Sequence, residues 1–431
     1  MTERIAGSGA AEATIALTTL LKREGHSVRL FAAESMNVPP GTDYQLLGEW
    51  QEIYDLVGAI NDGHQPARQR DNEAVEYHSS RRQFHKNLIK ELRAFGPDVV
   101  HFHNVSAVLS HVSALAVSQE WPLVWTLHGR HPFDLFHNEW TFGSEIVRSW
   151  EKTVAFETPA LSRDLLAASG VSVDFVAPSQ WLRRLGEASP LGEKHRFHLI
   201  RNAVSDVAPA STLSGDQIRR TLGVDRLLLA VVPKPNYSLK GLEIAVSAFF
   251  RARALLTHKE STRETKLGLL VTTEKDLGLS TWGVFALPDL ESRGLILDNR
   301  YLSQAVMRDL YLSVDAVVIA SRAENLPNVA VEAIRDRCPV IATDVGGLPE
   351  LFKNAAIGRL VQSESIVEMA DAMVEVTGRG RDSYKDALSE LWDSTFAPER
   401  IAIEMEALFM EAIARHHSSE LLSSVQHGIQ R

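Results

Sequence analysis

Two glutamates, Glu324 and Glu332, stand eight positions apart in SRAENLPNVAVEAIRDRCPVIATDVGGLPE (321–350), on either side of a Leu-Pro-Asn turn. Ionised carboxylates only accept hydrogen bonds, so hydroxyl groups are their natural partners. Pro327 between them suits the first turn of a helix, where its missing N–H costs nothing. The spacing therefore predicts a helix from near Asn328, with Glu324 in the preceding loop and Glu332 about one turn inside. Backbone N–H groups of Leu326, Pro327's neighbour Asn328 and Val329 would form an electropositive pocket suited to a phosphate. Hydroxyl-rich groups flanking a phosphate is the layout of a nucleoside diphosphate sugar. The competing reading is a solvated loop acid and an ordinary surface glutamate. A pair this short matches by chance often enough that its surroundings must decide.

The surroundings are strand, loop, helix, strand. AVVIAS before the loop and PVIAT after the helix are short apolar runs of buried-strand type. Both glutamates then lie near the C-terminal edge of a parallel sheet, where ligands bind in open α/β folds. The same alternation fills most of the chain. In the first half, Ala10 to Glu24 reads as a helix stopped by Gly25, and SVRLFAA, DVVHF, PLVWTL, DFVAPS and HLIRNA read as strands. Arg81 to Phe95 reads as an amphipathic helix with Phe84, Leu88, Leu92 and Phe95 on one face. Val204 to Ser214 reads as an interdomain connection, after which LLLAVV and LGLLVTT open a second series. Such alternation implies parallel sheets covered on both faces. The last helix, from Ala397 to Ala414, sets Ile401, Met405, Leu408, Phe409 and Ile413 on one side. The polar stretch from Asn61 to Ser80 reads as a loop or mobile helix.

At 431 residues the chain can hold two core-bearing domains. Its 45 Lys and Arg against 55 Asp and Glu give a net charge of −10, which offers no global field for nucleic acid. One cysteine, Cys338, precludes an intramolecular disulfide and reads as a packed thiol in a reducing compartment. No apolar run reaches spanning length.

In wording and order the chain resembles the family 4 glycosyltransferases. The residues that carry the resemblance are E-N-L-P-N-x-x-x-E-A and PVIATDVGGLPE, with GSGAAEA, GPDVVHFHN, WTLHG, FVAPSQWL, LIRNAV and LKGLEIAVSAF in sequence before them. The resemblance implies a GT-B fold: two Rossmann-like parallel-sheet domains facing a central cleft, with a C-terminal helix returning to the N-terminal domain. It sets an acceptor-binding domain at 1–205, a donor-binding domain at 206–395 and the returning helix at 396–431. It also implies hexosyl transfer from a nucleotide-sugar donor to a hydroxyl acceptor with retention of configuration. Enzymes of bacterial polysaccharide assembly are the nearest in detail, so the acceptor would be a saccharide or lipid-linked saccharide. The location would be cytoplasmic, with weak peripheral contact at the inner face of the membrane through the basic side of the Arg81, Arg82, Lys86, Lys90 and Arg93 helix. A solvated face is the plainer reading of that helix.

Several positions acquire roles from this resemblance. Lys240, at a strand-to-helix junction beside Gly241, would place its ammonium on the diphosphate. Lys234 stands where the family usually has arginine, which keeps the charge and loses the bidentate fork. Gly7 and Gly9 would let backbone approach a phosphate or sugar. His128 ends PLVWTL and would line the donor-sugar site, and His101 and His103 alternate along the neighbouring strand. Glu324 would hold sugar hydroxyls and Glu332 the ribose. No Asp-x-Asp pair or zinc-type His/Cys cluster occurs, and the family needs no metal or other cofactor. Gly129 replaces a common aspartate, and Arg337 replaces a common glycine. Two rivals stay open: a nucleotide-sugar epimerase of the same fold, and a non-catalytic nucleotide-sugar-binding protein. A two-carboxylate glycosidase would leave the lysines idle.

One expectation concerns the opening. Only MTERIA precedes Gly7, too short and polar for a buried strand. The reading frame is therefore expected to open downstream of its true start, with the first domain's central strand missing.

Overall fold

The computed structural model describes residues 2–4, 9–34, 44–46, 86–103, 111–129, 170–210, 214–232, 238–259, 265–273, 293–298, 300, 302–353 and 355–429. Packing divides the chain into two units, Met1–Ala203 with Pro398–Arg431, and Val204–Ala397.

In the first unit, β1 (Thr2–Arg4), β2 (Leu30–Glu34), β3 (Tyr44–Leu46), β4 (Val100–His103), β5 (Leu123–Thr126), β6 (Val173–Ala177) and β7 (Arg196–Leu199) form one parallel sheet in the order β3-β2-β1-β4-β5-β6-β7. The expectation of a missing central strand is corrected here. Thr2 lies opposite Ala32 and Arg4 opposite Glu34 on one side, and Thr2 lies opposite His103 on the other. Pairing uses backbone N–H and C=O groups, which every residue here carries, so a polar three-residue segment can hold the middle of a sheet. A hydropathy test applied to MTERIA could not see it.

Period-two alternation sends successive side chains to opposite faces of this sheet. Val100, Phe102, Leu123, Trp125, Val173 and Phe175 point into one apolar cluster, joined by Leu88 and Leu92 from the helix at 86–95. Val124 and Val176 point the other way. They meet Leu17, Leu20 and Leu21 of α1 (Gly9–Arg23) and Ile401, Ala402, Met405, Leu408 and Ala412 of the C-terminal helix, Pro398–Ile429. The C-terminal helix thus belongs to the first unit. Arg415 fastens it by donating to Asp174 at 2.6 Å, while His198 holds the other oxygen of that carboxylate at 2.8 Å.

The second unit repeats the strand order. β8 (Arg226–Val231), β9 (Leu267–Thr272), β10 (Leu295–Asp298), β11 (Ala316–Ile319), β12 (Val340–Thr343) and β13 (Gly358–Val361) form a parallel sheet in the order β10-β9-β8-β11-β12-β13. The order reverses between β8 and β11, and crevices for ligands open at the C-terminal ends of strands at such a reversal. Three helices bear on this edge: α2 (Leu242–Lys259), α3 (Gln304–Ser313) and α4 (Asn328–Arg335). Where the unit begins, Ser205–Val207 are held by arginines from below. Arg335 donates to the Ser205 carbonyl, and Arg308 to Asp206 at 3.2 Å and to the Val207 carbonyl at 2.5 Å.

Met405 is 2% exposed in the seam between the C-terminal helix and the sheet. Met405→Ala is expected to cost about 2–5 kcal/mol through lost burial and a residual cavity, read by urea unfolding.

Candidate active site

Lys240 and Glu324 are brought together across the strand reversal of the second unit. β8 leads towards the turn at 238–240, and β11 leads into the loop 320–327. Lys240 Nζ donates to Glu324 Oε1, which also accepts from Ser321 Oγ at 2.8 Å. Both charged side chains are mostly buried, at 18% and 9% exposure. A buried carboxylate without a partner is costly, and the lysine and the hydroxyl supply the partners that hold the Glu324 side chain in one position.

The backbone explains why these loops lie so close. Gly241 has φ +62°, and a Cβ there would overlap the Ala320 carbonyl oxygen. The Arg322 N–H donates to the Leu239 carbonyl at 2.8 Å, closing the same seam. The Arg322 guanidinium, in turn, donates to the Ser238 carbonyl and pairs with Glu243 and Glu364. On the other side, Gly346 has φ +58°, and a Cβ would overlap the carbonyl oxygen of Glu324 itself. The Gly347 N–H donates to the Asn325 carbonyl at 2.7 Å, and Thr343 Oγ1 donates to the Ser321 carbonyl at 2.6 Å. Gly241 of KG and Gly346, the first glycine of DVGG, are therefore packing requirements: no side chain fits where each backbone meets the loop bearing Glu324.

Helix α4 begins at Asn328, as its spacing predicts, with Pro327 as the N-cap rather than the first helical residue. No side chain caps that end. Leu326 is 4% exposed, and Asn328 and Val329 are half-buried. Glu332 faces inward at 6% exposure, and the fully buried Tyr311 of α3 donates to its Oε2 at 2.7 Å. Burial, and next the adjacent carboxylate, push the Tyr311 phenol well above its ordinary range, so it stays a donor at physiological pH. Sequence reasoning missed Tyr311, Ser321 and Arg322. A tyrosine on the inward face of a predicted helix was the available signal, because a buried phenol requires a partner.

Arg337, where glycine was expected, has φ +56° and so occupies the left-handed region that glycine favours. Its Nε donates to Ser389 Oγ at 3.1 Å, and its guanidinium also reaches the Arg335 carbonyl. Cys338 is buried, and its thiol is pushed up to about 12 by desolvation, in keeping with an inert packed group. Gly9 opens α1, whereas Gly7, Lys234, Arg81, Arg82 and the 61–80 stretch lie outside the described residues.

In the first unit His128 follows β5 at the sheet's C-terminal edge. Its Nε2 lies 3.3 Å from His103 Nδ1, His103 Nε2 lies 3.4 Å from His101 Nδ1, and His101 Nε2 lies 2.7 Å from Thr126 Oγ1. The residue as a whole keeps some contact with solvent, yet burial of the ring lowers its pKa to about 4. His101 and His103 are also held well below the ordinary range, foremost by burial. All three are neutral at pH 7.

The model "Glycosyltransferase Family 4" matches residues 7–206, and "Glycosyl transferases group 1" matches residues 246–378. Alpha-maltose-1-phosphate synthase of Mycobacterium tuberculosis is 26% identical over 289 residues, 65% of this chain and 68% of that protein. D-inositol 3-phosphate glycosyltransferase of Actinosynnema mirum is 30% identical over 234 residues, 47% of this chain and 54% of that protein. Among solved structures, sucrose-phosphate synthase from Thermosynechococcus elongatus superposes with a TM-score of 0.63 at 16% identity, covering 96% of both chains. HepE of Anabaena, solved with UDP and glucose, gives 0.57 at 15% identity over 95% of this chain and 99% of that one.

Two outcomes test this geometry. In a double-mutant cycle, Lys240→Met and Glu324→Gln should each cost about 1–3 kcal/mol, and the double variant less than their sum, measured by urea unfolding. For His128 the folded pKa lies below the unfolded value of about 6.5, so the unfolded chain binds the extra proton between pH 6.5 and 4. Stability is lost as pH falls through that window, and His128→Gln should shrink the loss between pH 7 and 5 by about 1–2 kcal/mol.

With two glycosyltransferase models matching successive parts of the chain and both sheets in the arrangement of such enzymes, the chain belongs to the family 4 glycosyltransferases of GT-B fold.

Proposed function

We propose that this enzyme moves a hexosyl group from a nucleotide-sugar donor to a hydroxyl of a saccharide or lipid-linked saccharide, with retention of anomeric configuration. The observation that carries the reading is the ion pair of Lys240 with Glu324 at the strand reversal of the second unit, with Glu332 one helix step beyond. In that reading the bond from the sugar's anomeric carbon to the diphosphate breaks, and its electron pair goes to the diphosphate oxygen. The acceptor oxygen forms the new bond on the same face, and its proton passes to the departing phosphate. Lys240, with Lys234 and the amides beside Pro327, stabilises the charge that builds there, the kind of preorganised electrostatic contribution that dominates many enzymes. No metal is needed for that role.

Glu324 keeps a second oxygen for sugar hydroxyls while its Oε1 is engaged by Lys240 and Ser321. Glu332, oriented by Tyr311, takes the ribose. The solved HepE structures with UDP and UDP-glucose support the donor class by analogy of fold. WaaG, described as involved in lipopolysaccharide biosynthesis, supports a place in cell-surface polysaccharide assembly in the same way. Work on the cytoplasmic side, at the inner face of the membrane, follows from that place; no helix among the described residues is long and apolar enough to cross a membrane.

A panel of nucleotide sugars is expected to contain one that raises Tm by several degrees at saturating concentration. With that donor, nucleotide release should depend on acceptor, and Lys240→Ala and Glu324→Ala should each lower turnover about 100-fold or more. Full activity in both variants sinks the assignment. Isomerised donor without acceptor would indicate an epimerase, and binding without turnover a non-catalytic module.

A further inference from the structure

His101, His103, Thr126 and His128 share one face of the first sheet. Strand alternation puts residues 101 and 103 on the side opposite Val100 and Phe102, and residues 124, 126 and 128 on the side opposite Leu123, Trp125 and Leu127. Parallel register sets His101 beside Val124 and His103 beside Thr126. His101 therefore reaches diagonally to Thr126 and His103 to His128, the two rings meet each other along β4, and the His101 ring is backed by the edge of Phe409 from the C-terminal helix, 5.4 Å away.

A neutral imidazole has one N–H and one bare nitrogen, so a chain of neutral rings can run in only one direction at a time. The direction is set at its inner end. Thr126 is 4% exposed, and its hydroxyl meets only His101 Nε2 among the described residues. Were His101 to donate from Nε2, the threonine hydrogen would be buried without an acceptor, a costly arrangement. Thr126 therefore donates to His101 Nε2. His101 must then carry its proton on Nδ1 and donate to His103 Nε2. His103 likewise carries its proton on Nδ1 and donates to His128 Nε2.

We infer that Thr126, His101 and His103 are positioning residues that lock His128 as the Nδ1–H tautomer, which presents an N–H donor, and no basic nitrogen, to the ligand. Its partner is then an acceptor oxygen, of a sugar hydroxyl or of the diphosphate. His128 does not take the proton of the acceptor hydroxyl. This inference rests on the donor-transfer reading for the ligand's identity, but the tautomer itself does not depend on it.

The test is 15N NMR of the full-length protein with selectively labelled histidine, the His128 signals being assigned by their loss in His128→Gln. At pH 7 the wild type should show a protonated Nδ1 and a bare Nε2 at His128. Thr126→Ser and His103→Asn keep a donor at each critical point, the asparagine amide nitrogen standing where Nδ1 stood, and should keep that pattern. Thr126→Val and His103→Leu should mix the tautomers at His128. With a donor sugar found, those two should raise its KM about 5–50-fold and leave kcat within about threefold. A protonated Nε2 in the wild type, or a His128 pattern indifferent to Thr126→Val and His103→Leu, overturns the inference. Failure to bind any nucleotide sugar would instead strike the functional reading and leave the NMR result standing.

Discussion

A lysine and a glutamate from two different strand-to-helix loops share one proton-rich contact, and the second unit is arranged around keeping them there. Neither charge is well solvated, so each is tolerable only because the other is present. The surrounding backbone removes the freedom to separate them. Gly241 lies against the Ala320 carbonyl, Gly346 against the Glu324 carbonyl, and amides from Arg322 and Gly347 close the two seams. Each of these contacts is between loops that leave the sheet at neighbouring strands. The crevice at a strand reversal is thus not an open gap here but a braced one, and the bracing is done by main chain. The Lys240 ammonium is thereby held in one orientation against Glu324.

The two glutamates serve this arrangement differently. Glu324 is tied to the Lys240 ammonium and the Ser321 hydroxyl. Glu332 is tied to a phenol that stays protonated. One acid is held by a charged donor and the other by a neutral one.

Much of this was legible in the residues. Strand-helix alternation gave both sheets, and the helix start near Asn328 was read from Pro327. Other elements left no clear trace. β1 is a polar segment whose pairing is entirely main-chain, and β13, GRLV, is a half-exposed edge strand with a charged residue in its middle. Periodicity cannot register either. Pairings across the fold were also beyond it. Nothing in spacing says that Tyr311 meets Glu332 or that Lys240 meets Glu324, since those distances in sequence are bridged only by the sheet. The histidine row is intermediate: alternation put His101 and His103 on one face, while their link to His128 needed the register of β4 on β5.

The return of the C-terminal helix has a consequence for how the molecule is made. The second unit is continuous in sequence, but the first is split, with its final helix following the entire second unit. During vectorial synthesis the later unit therefore has all its parts first. Until the last segment leaves the ribosome, Leu17, Leu20 and Val124 lack the Ile401, Met405 and Leu408 that cover them. The earlier half of the chain is thus the last to be sealed, and a chain ending at residue 397 would hold every residue of the second unit while leaving that apolar face of the first sheet without its covering helix.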